Sequence, residues 1–378
     1  MKKIKKTDRY PLRSIYFYPT ESCNLKCKHC WVVPNFAPDA SSNAYSDQNK
    51  DNLTFDELKA VIEDCLPLGL SSVKLTGGEP FLHPDIMDYI AYFNSKDLSV
   101  PIETNGLLLT KDIVKDLKKY NCPVSVSIDG AVPETHDAIR GVHGSFHKAL
   151  ESVRLLNELK FNYEVIFSLM NDNFSELESF MAFLDKEFTD CHLKINIMSP
   201  VGRAKTINEK EKYIDIEEIL ALNKRVQNEY KKRYPSLSIF LHIPVAFKST
   251  QQILHNSCGF CSIFTIVGLL SDGKVSYCGI GRTEENLLFG NVRKEKMSSI
   301  WKNSPQLQEF RSKMPKALHG ICKICIHKNQ CLGSCVAQTY ALTKDLFGPY
   351  KFCEEAHRKE IFPQSRLITN YKSDTRSS

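Results

Sequence analysis

Cysteines are the residues of this chain best placed to do chemistry, because most of its fourteen fall into two ordered arrays. The first array is Cys23, Cys27 and Cys30, whose members are separated by three and then two residues. Thiolates at such short spacings can converge on one small metal cluster. Three thiolates leave one iron of a four-iron cluster without a protein ligand, much as catalytic zinc sites keep an open position. The spacing therefore predicts an iron-sulfur cluster at which a small molecule can bind.

The second array contributes eight thiolates from the C-terminal third of the chain, which is enough for two fully ligated four-iron clusters. Its members are Cys258, Cys261, Cys278, Cys322, Cys325, Cys331, Cys335 and Cys353. Taken alone, the paired CxxC units would also match zinc-ribbon ligands. Their coincidence with the first array favours iron-sulfur clusters. The remaining cysteines, Cys65, Cys122 and Cys191, fit neither array, and we expect each to be a small buried apolar residue.

Strand-like and helical patterns alternate along the first two thirds of the chain and must position these residues. The strand-like runs are 14–20, 72–76, 99–103, 123–129, 163–170 and 192–198. The helical segments lie near 54–66, 84–95, 110–120, 145–160, 175–187 and 215–234. Such alternation requires right-handed crossovers and a parallel sheet. It predicts an α/β fold, a partial (β/α)6 TIM-like barrel, with its chemistry at the carboxyl ends of the strands.

The first array and the strand ends carry a family resemblance. The segment Cys23–Cys30, with the ring of His29 before its last cysteine, resembles the CX3CX2C loop of radical S-adenosylmethionine (SAM) enzymes. Thr76-Gly77-Gly78-Glu79-Pro80 is similar to the GGEP edge of that family. The resemblance implies that SAM chelates the open iron and that one electron cleaves SAM to methionine and a 5′-deoxyadenosyl radical.

The resemblance also implies which residues contact SAM. The GGEP edge would meet its amino group, and Arg140 could fork onto a carboxylate. The expected contacts are Gly77, Gly78, Glu79, Pro80, Ser127, Arg140 and Ser168.

The second array, with Gly273 five residues before Cys278, is similar to the SPASM domain of radical SAM enzymes that modify peptides and proteins. The resemblance implies that one auxiliary cluster is held by Cys258, Cys261, Cys278 and Cys335, and the other by Cys322, Cys325, Cys331 and Cys353. Three 4Fe-4S clusters and SAM are thus expected. The expected domains are an extension at 1–13, the barrel at 14–234, a bridging region with the SPASM domain at 235–364, and a flexible tail at 365–378.

This resemblance implies an oxidoreductase that modifies a ribosomally made peptide through a thioether or carbon-carbon crosslink. A sulfatase-maturing enzyme is one alternative, but its family has an Asp where this chain has Gly279. A small-molecule enzyme of the haem-decarboxylase type is another. A non-catalytic electron-transfer protein is the alternative from a different class.

The expected partners are a peptide or protein substrate and a low-potential electron donor of the flavodoxin or ferredoxin type. Because 13 residues precede the first strand, a separate leader-peptide-binding protein is a further expected partner. The net charge of +6 is scattered, which is typical of solvated helix faces and not of a nucleic-acid site. No apolar run approaches the ~20 residues that cross a bilayer. We expect a cytoplasmic protein, because there is no export signal and the metal sites are oxygen-labile.

Two smaller expectations concern loops and histidines. The segment 34–52 is rich in Asn, Ser, Asp and Ala, and we expect it to be mobile. His83, His136 and His143 stand near turns and have no ligand spacing to one another, so we expect cap or surface positions.

Overall fold

The computed structural model describes residues 10–37, 49–207, 213–254 and 261–368. Cys258 lies outside the described residues, as do 38–48 of the segment expected to be mobile. The first nine residues of the expected extension and 369–378 of the expected tail lie outside them too. All structural statements below concern the described part of the chain.

A ten-stranded sheet forms the centre of the protein, and a short two-stranded ladder stands beside it. The strands in chain order are β1 (Ser14–Phe17), β2 (Ser22–Cys23), β3 (Asn35–Phe36), β4 (Ser72–Leu75), β5 (Ile102–Thr104), β6 (Val124–Ser127), β7 (Tyr163–Leu169), β8 (Cys191–Ile197), β9 (Leu237–His242), β10 (Ile266–Leu269), β11 (Lys274–Ser276) and β12 (Leu288–Asn291). Their order in the large sheet is β12-β11-β10-β1-β4-β5-β6-β7-β8-β9. All neighbours from β10 to β9 pair in parallel, whereas β11 and β12 pair antiparallel at one edge.

Helices connect the parallel strands, as the alternation predicts. The helices of the first two thirds are Phe55–Cys65, Ile86–Ser95, Lys111–Lys119, Pro133–Arg140, Ser145–Glu158, Asn171–Phe174, Leu177–Glu187, Ile216–Arg225, Lys231–Arg233 and Thr250–Leu254. The C-terminal helices are Met297–Asn303, Pro305–Lys313, Gly320–Ile324, Lys328–Cys331, Val336–Thr343 and Lys351–Arg358. The predicted α/β class with a parallel sheet is confirmed.

The two faces of the sheet have different chemistry because successive side chains in a strand point to opposite sides. Ile15 and Val73 are paired in register, fully buried and part of the core that packs against the connecting helices. Their neighbours Tyr16 and Lys74 are also paired in register but lie on the other face. That inner face is polar, which suits a sheet that curves around a binding space.

The sheet extends beyond the six strands that the sequence pattern predicts. β9 pairs in parallel with β8, and β10 pairs in parallel with β1. β10 lies within the apolar run Cys261–Leu270, whose four strand residues are all buried, so it lacks the alternation that marks a half-exposed strand. The predicted helix 215–234 is interrupted by a π-helical turn at Val226–Tyr230.

The C-terminal region is fastened to the parallel strands and their helices by polar contacts. The indole Nε1 of Trp301 donates to the carbonyl of Tyr10 at 2.9 Å. The backbone N–H and the hydroxyl of Ser298 donate to the two oxygens of the Asp64 carboxylate at 2.7 and 2.8 Å. These contacts join helix Met297–Asn303 to the segment before β1 and to helix Phe55–Cys65.

Candidate active site and cysteine groups

The loop that carries the first array is held by backbone hydrogen bonds to two other segments. The N–H groups of Lys26 and Lys28 donate to the carbonyls of Arg140 and Ile139, both at 3.0 Å. The approach is close, since a Cβ on Gly141, which has φ +73°, would lie 2.8 Å from the Lys26 carbonyl oxygen. The loop therefore keeps one shape, set by the end of the helix that contains Arg140.

The three thiols of the first array are gathered in this loop. Cys23 and Cys27 are buried, and Cys30 is partly exposed. Burial raises the pKa of Cys30, and the neighbouring Cys27 thiol raises it further. Nη1 of Arg140 donates to the Cys27 sulfur at 3.7 Å. A cationic group beside a sulfur favours the thiolate, which is the form that binds metal.

Asp129 joins the loop to the ends of β6 and β7. Its carboxylate is fully buried and forms an ion pair with Nη2 of Arg140 at 2.7 Å. Nε2 of His29 stands 3.6 Å from the same carboxylate oxygen. The other oxygen accepts from the backbone N–H of Ser168 at 2.7 Å. The sequence pattern predicted no role for Asp129, because its burial beside Arg140 is visible only in the fold.

His136 corrects one expectation. It is buried and not at the surface, and its Nδ1 accepts from the backbone N–H of Asp129 at 3.1 Å. Burial lowers the pKa of His136 to about 4, so the ring is neutral and suited to accepting this bond. His83 is buried too, whereas His143 is exposed as expected.

The GGEP segment follows β4 and packs on the cysteine loop. A Cβ on Gly78 would lie 2.0 Å from the carbonyl oxygen of Ser22, so only glycine fits there. The N–H of Glu79 donates to that same carbonyl at 2.8 Å. Pro80 is buried and begins a short 3-10 turn. The predicted SAM edge and the predicted cluster loop are thus in direct contact.

Glu79 is a buried carboxyl surrounded by donors. Oε1 accepts from the Thr104 hydroxyl at 2.7 Å, and Oε2 accepts from the Asn105 N–H at 2.9 Å. Burial nevertheless raises the pKa of Glu79 to about 7. The Asn105 side chain in turn donates to Oδ1 of Asn24, inside the cysteine loop, at 2.6 Å. The end of β5 is thereby tied to the loop.

The remaining expected SAM contacts stand on neighbouring strands. Ser127 ends β6 and is paired in register with Ile166 of β7, and Ser168 lies two residues further along β7. Both serines are partly exposed. Arg140 reaches the same region, but its Nη2 is paired with Asp129 and its Nε is buried without a hydrogen-bond partner.

Charged side chains cross the inner face of the sheet below these strand ends. Nζ of Lys74 lies 2.5 Å from Glu103, and Nζ of Lys194 lies 3.9 Å from Glu164. The Ser125 hydroxyl donates to Glu164 at 3.0 Å. The four charged side chains are 20 to 33% exposed, so solvent or a ligand reaches them. The inner face therefore offers polar groups of both signs.

Tyr18 lies between the GGEP edge and the second array. Its hydroxyl accepts from the N–H of Gly279 at 2.7 Å, and Gly279 follows Cys278 directly. A Cβ at position 279 would lie 2.4 Å from the phenol oxygen of Tyr18. The aromatic ring thus fills the space that an acidic side chain at 279 would need. The sequence could not reveal this contact, because it joins residues 261 positions apart.

A cavity of about 200 Å³ borders Tyr18 and both glycines of the GGEP edge. Arg282 forms an ion pair with Glu21 there, and its Nε donates to the carbonyl of Val32 at 3.3 Å. The cavity is lined by Tyr18, Thr20, Glu21, Val32, Pro34, Gly77, Gly78, Ser271 and Arg282. It lies between the first cysteine loop and the segment after Cys278, so it joins the two halves of the candidate site.

The described cysteines of the second array form two groups. Burial raises the pKa of Cys261 to about 12, and the nearby Cys335 thiol adds to this. Cys335 also contributes to the raised pKa of Cys278 after burial. These cysteines are three of the four expected to hold one auxiliary cluster, the fourth being Cys258.

The second group consists of Cys322, Cys325, Cys331 and Cys353. Burial raises the pKa of Cys331 to about 12, and the thiols of Cys322 and Cys325 contribute in the same direction. The pKa of Cys353 is raised by burial and then by the other three thiols. All four line one cavity of about 320 Å³ with apolar neighbours such as Phe362. The donor set fits a cysteine-ligated cluster, and the expected ligand sets stay a prediction.

The described thiols are not arranged around single ions. Among the described residues, no three His, Cys, Asp or Glu side chains converge closely enough to hold one metal ion. Cys65, Cys122 and Cys191 stand apart and are buried in the apolar core, as expected.

Two family descriptions match the chain. The radical SAM superfamily matches residues 17–184, and the SPASM iron-sulfur cluster-binding domain matches residues 258–326. The chain is 28% identical to the AdoMet-dependent heme synthase of Methanosarcina barkeri over 90% of this chain and 96% of that protein. It is 25% identical to the mycofactocin maturase MftC of Mycobacterium tuberculosis over 94% of this chain and 86% of that protein.

Solved structures show the same fold. Streptococcus suis SuiB bound to its precursor peptide SuiA superposes with a TM-score of 0.69 at 19% identity, covering 91% of this chain and 76% of SuiB. Native anSMEcpe with bound AdoMet gives a TM-score of 0.65 at 19% identity, covering 92% of this chain and 98% of that one. In the described part of this chain, no helix is long and apolar enough to cross a membrane.

Proposed function

The chain belongs to the radical SAM superfamily and carries a SPASM domain, and from this premise we propose that it oxidatively crosslinks a ribosomally made peptide. The bound cluster and SAM would supply a 5′-deoxyadenosyl radical that removes hydrogen from a peptide carbon. The product would be a thioether or carbon-carbon crosslink, with a net loss of two hydrogens. The contact of the three-cysteine loop with the GGEP edge and Arg140 is the observation that carries the proposal.

The chain's own residues would position the reactants. Cys23, Cys27 and Cys30 would hold the first cluster. Gly77 to Pro80, Ser127, Arg140 and Ser168 would bind SAM, with Glu79 accepting from its amino group. Asp129 fixes the Arg140 guanidinium, so the cation stays beside Cys27. Holding reactants in one geometry lowers the barrier by avoiding the loss of translational freedom during reaction.

The second array would accept the electron that leaves the substrate after hydrogen removal. Cys258, Cys261, Cys278 and Cys335 would hold one 4Fe-4S cluster, and Cys322, Cys325, Cys331 and Cys353 the other. The boundaries proposed for the two domains are 14–234 and 235–364. An external donor of the flavodoxin or ferredoxin type would supply the electron for SAM cleavage, and a separate protein would bind a leader peptide.

The polar inner face supports a peptide substrate. Lys74, Glu103, Glu164 and Lys194 are partly exposed toward the binding space. A peptide offers amide and charged groups that can form hydrogen bonds and ion pairs with these side chains. The name of MftC, a maturase, and the complex of SuiB with a precursor peptide are consistent with this choice.

A second candidate is a haem-forming oxidation of a porphyrin. The 28% identity to an AdoMet-dependent heme synthase over 96% of its length favours it. Sulfatase maturation is less well supported, because Tyr18 takes the space beside Gly279 in which that family has an acid.

The test is the intact mass of short peptides encoded beside this protein, each co-expressed with it under anaerobic conditions. The control carries Cys23→Ala, Cys27→Ala and Cys30→Ala together. A loss of two hydrogens that needs the wild-type loop, with fragmentation blocked between two side chains, is the expected result. Unchanged peptides, together with loss of carbon dioxide from a propionate-bearing porphyrin, would replace the proposal with the second candidate.

A further inference from the structure

A row of residues crosses the inner face of the sheet from Cys278 to Glu103. Gly268 of β10, Tyr16 of β1 and Lys74 of β4 are aligned in register. At one end Gly268 packs against Cys278, since a Cβ on Gly268 would lie 2.6 Å from the Cys278 carbonyl carbon. At the other end Nζ of Lys74 lies 2.5 Å from the Glu103 carboxylate. The row therefore joins a proposed cluster ligand to an acid.

Glu103 lies next to the GGEP edge. The hydroxyl of Thr76, the residue before Gly77, donates to Oε2 of Glu103 at 3.2 Å. Nζ of Lys74 donates to Oε1. The Glu103 side chain is 30% exposed, so a substrate in the binding space can reach it. Two neighbours thus fix the carboxylate beside the edge that we propose for SAM, and a fixed group is what efficient proton transfer needs.

The charges around Glu103 keep its carboxylate ionised. Burial alone would raise the pKa of Glu103, but the charges of Lys74 and Lys194 outweigh burial and lower this pKa below its ordinary value. The titratable side chains that face Glu103 and its partner from neighbouring elements are Tyr16, Tyr18, Lys74, Glu164 and Lys194. A general base must be deprotonated at the working pH, and Glu103 meets that condition.

The position directly after Cys278 offers no room for an acid. A Cβ on Gly279 would lie 2.4 Å from the phenol oxygen of Tyr18. Crosslinking nevertheless releases a proton, so an acceptor must stand elsewhere on the binding space. Glu103 and Glu164 are carboxylates on the inner face, but Glu164 belongs to β7, two strands further from Cys278 than β5. Glu103 is also the one that contacts the segment leading into the GGEP edge.

We propose that Glu103 accepts the proton that the second partner of the crosslink loses, while the electron leaves toward the cluster proposed beside Cys278. This rests on the proposed function. One peptide carbon first gives its hydrogen atom to the 5′-deoxyadenosyl radical. The new C–S or C–C bond then forms as the S–H or C–H bond of the second partner breaks. Its proton goes to Glu103 and one electron goes to the cluster, so the peptide loses two hydrogens in all.

The probe is the peptide encoded beside this protein that loses two hydrogens on co-expression, prepared with deuterium on its side-chain carbons. The test variants are Glu103→Gln, which cannot accept the proton, and Glu103→Asp, which keeps the carboxylate. The matched control is Glu178→Gln on helix Leu177–Glu187, where Nη1 of Arg225 lies 2.6 Å from this partly exposed glutamate. Iron content and the peptide dissociation constant are measured for each protein.

The first readout separates hydrogen removal from crosslinking. We expect Glu103→Gln to keep transferring deuterium from the peptide to 5′-deoxyadenosine but to form crosslinked peptide about 100-fold more slowly. Glu103→Asp should recover part of the loss, and Glu178→Gln should match wild type. Crosslinking by Glu103→Gln at the wild-type rate would overturn the proposal. A loss that follows weaker peptide binding, or that includes deuterium transfer, would make Glu103 a binding residue and also overturn it.

The second readout is the pH dependence of Lys74→Met. Without this cation, burial raises the pKa of Glu103, so the ionised fraction grows with pH. Crosslinking by Lys74→Met should therefore rise at least about fivefold from pH 6 to pH 8.5, relative to wild type at the same pH values. The double variant Lys74→Met with Glu103→Gln should show no such rise. A pH profile of Lys74→Met that parallels wild type would contradict the proposal.

Two further outcomes keep this proposal distinct from its premise. If Glu164→Gln abolishes crosslinking while Glu103→Gln does not, Glu164 is the proton acceptor and the proposal fails, although the proposed function stands. If wild type cleaves SAM but crosslinks none of the neighbouring peptides, the proposed function itself fails and the assignment of Glu103 fails with it.

Discussion

At the scale of single residues, the candidate site depends on a few buried polar groups placed where only the fold could put them. Asp129 holds the Arg140 guanidinium, and that guanidinium meets the Cys27 sulfur. Glu79 lies against the same loop through Ser22. The sequence identified Arg140, Cys27 and Glu79 by motif, but Asp129 had no distinguishing neighbours in the chain.

Glu79 should give the protein without SAM a measurable pH dependence of stability. Burial raises its pKa from 4.5 to about 7 in the folded state. The folded protein therefore favours the protonated acid, and stability falls as pH rises from about 4.5 through 7. The loss should approach about 3 kcal/mol. Urea unfolding of wild type and Glu79→Gln at pH 5 and pH 8 measures it.

The Gln variant carries no ionisable group at this position and so should lose less stability between these two pH values. An identical loss in both proteins would show that Glu79 is ionised in the folded state without cost. Glu103→Gln offers a control, because this partly exposed carboxylate pairs with Lys74, which lowers the pKa of Glu103 instead.

The Tyr18 and Gly279 contact should appear in a double-mutant cycle. Gly279→Ala places a methyl group 2.4 Å from the phenol oxygen, and crowding of this kind costs about 1–3 kcal/mol of unfolding free energy. Tyr18→Ala removes the obstacle. The double variant should therefore be more stable than the sum of the single effects predicts, by more than about 0.5 kcal/mol. Additive effects in denaturant unfolding would mean that the ring does not block position 279.

At the scale of elements, amphipathic alternation was enough to predict the six central strands and most connecting helices. The alternation could not predict β9 and β10, nor the order of strands in the sheet to which they belong. β10 is buried at every position, so its sequence has no period of two. β9 follows a helical segment that contains a π turn, where the helical period is broken. The pairing of β10 with β1 is a contact between distant parts of the chain, which local patterns do not encode.

The start of helix Phe55–Cys65 illustrates a local rule that the structure confirms. Thr54 and Glu57, three positions apart, form a capping box. Arg293 then donates to the Glu57 carboxylate at 2.7 Å, which joins this helix to the C-terminal region. The hydrogen bonds from Arg293 lower the pKa of Glu57 to about 2. The stability that the ionised Glu57 carboxylate contributes to the fold is therefore lost only as the pH falls from about 4.5 through 2.

Removing this cap should weaken the fold and leave the chemistry intact. Thr54→Ala should lower the unfolding free energy by about 1 kcal/mol. Thr110→Ala is the matched comparison. Thr110 caps helix Lys111–Lys119 by accepting from the N–H of Ile113, but Ile113 has no carboxylate to bind an arginine as Glu57 does. Neither change should alter dithionite-driven SAM cleavage at a temperature where both variants are folded. A change in cleavage rate with unchanged stability would contradict a purely structural role for the cap.

At the scale of the whole molecule, the described thiols of the two arrays form three groups, and one contact links the first group to the second. The first array lies at the carboxyl ends of β4 to β7, and Tyr18 reaches from there to the residue after Cys278. Cys261 and Cys278 share a group with Cys335, and the last four cysteines surround a separate cavity. The family resemblance implies these ligand sets, and their assignment to clusters stays a prediction. The sequence did not predict the contact of Tyr18 with Gly279 or the polar inner face of the sheet.

The most direct test of the central claim is production of 5′-deoxyadenosine from SAM by the anaerobically reduced protein with all clusters present. Wild type and Cys65→Ala, which alters a buried cysteine outside both arrays, should form it. Cys27→Ala should form none while keeping the iron bound by the second array, and Cys353→Ala should lose part of that iron. Continued SAM cleavage by Cys27→Ala would contradict the assignment of the first array as the radical-forming site.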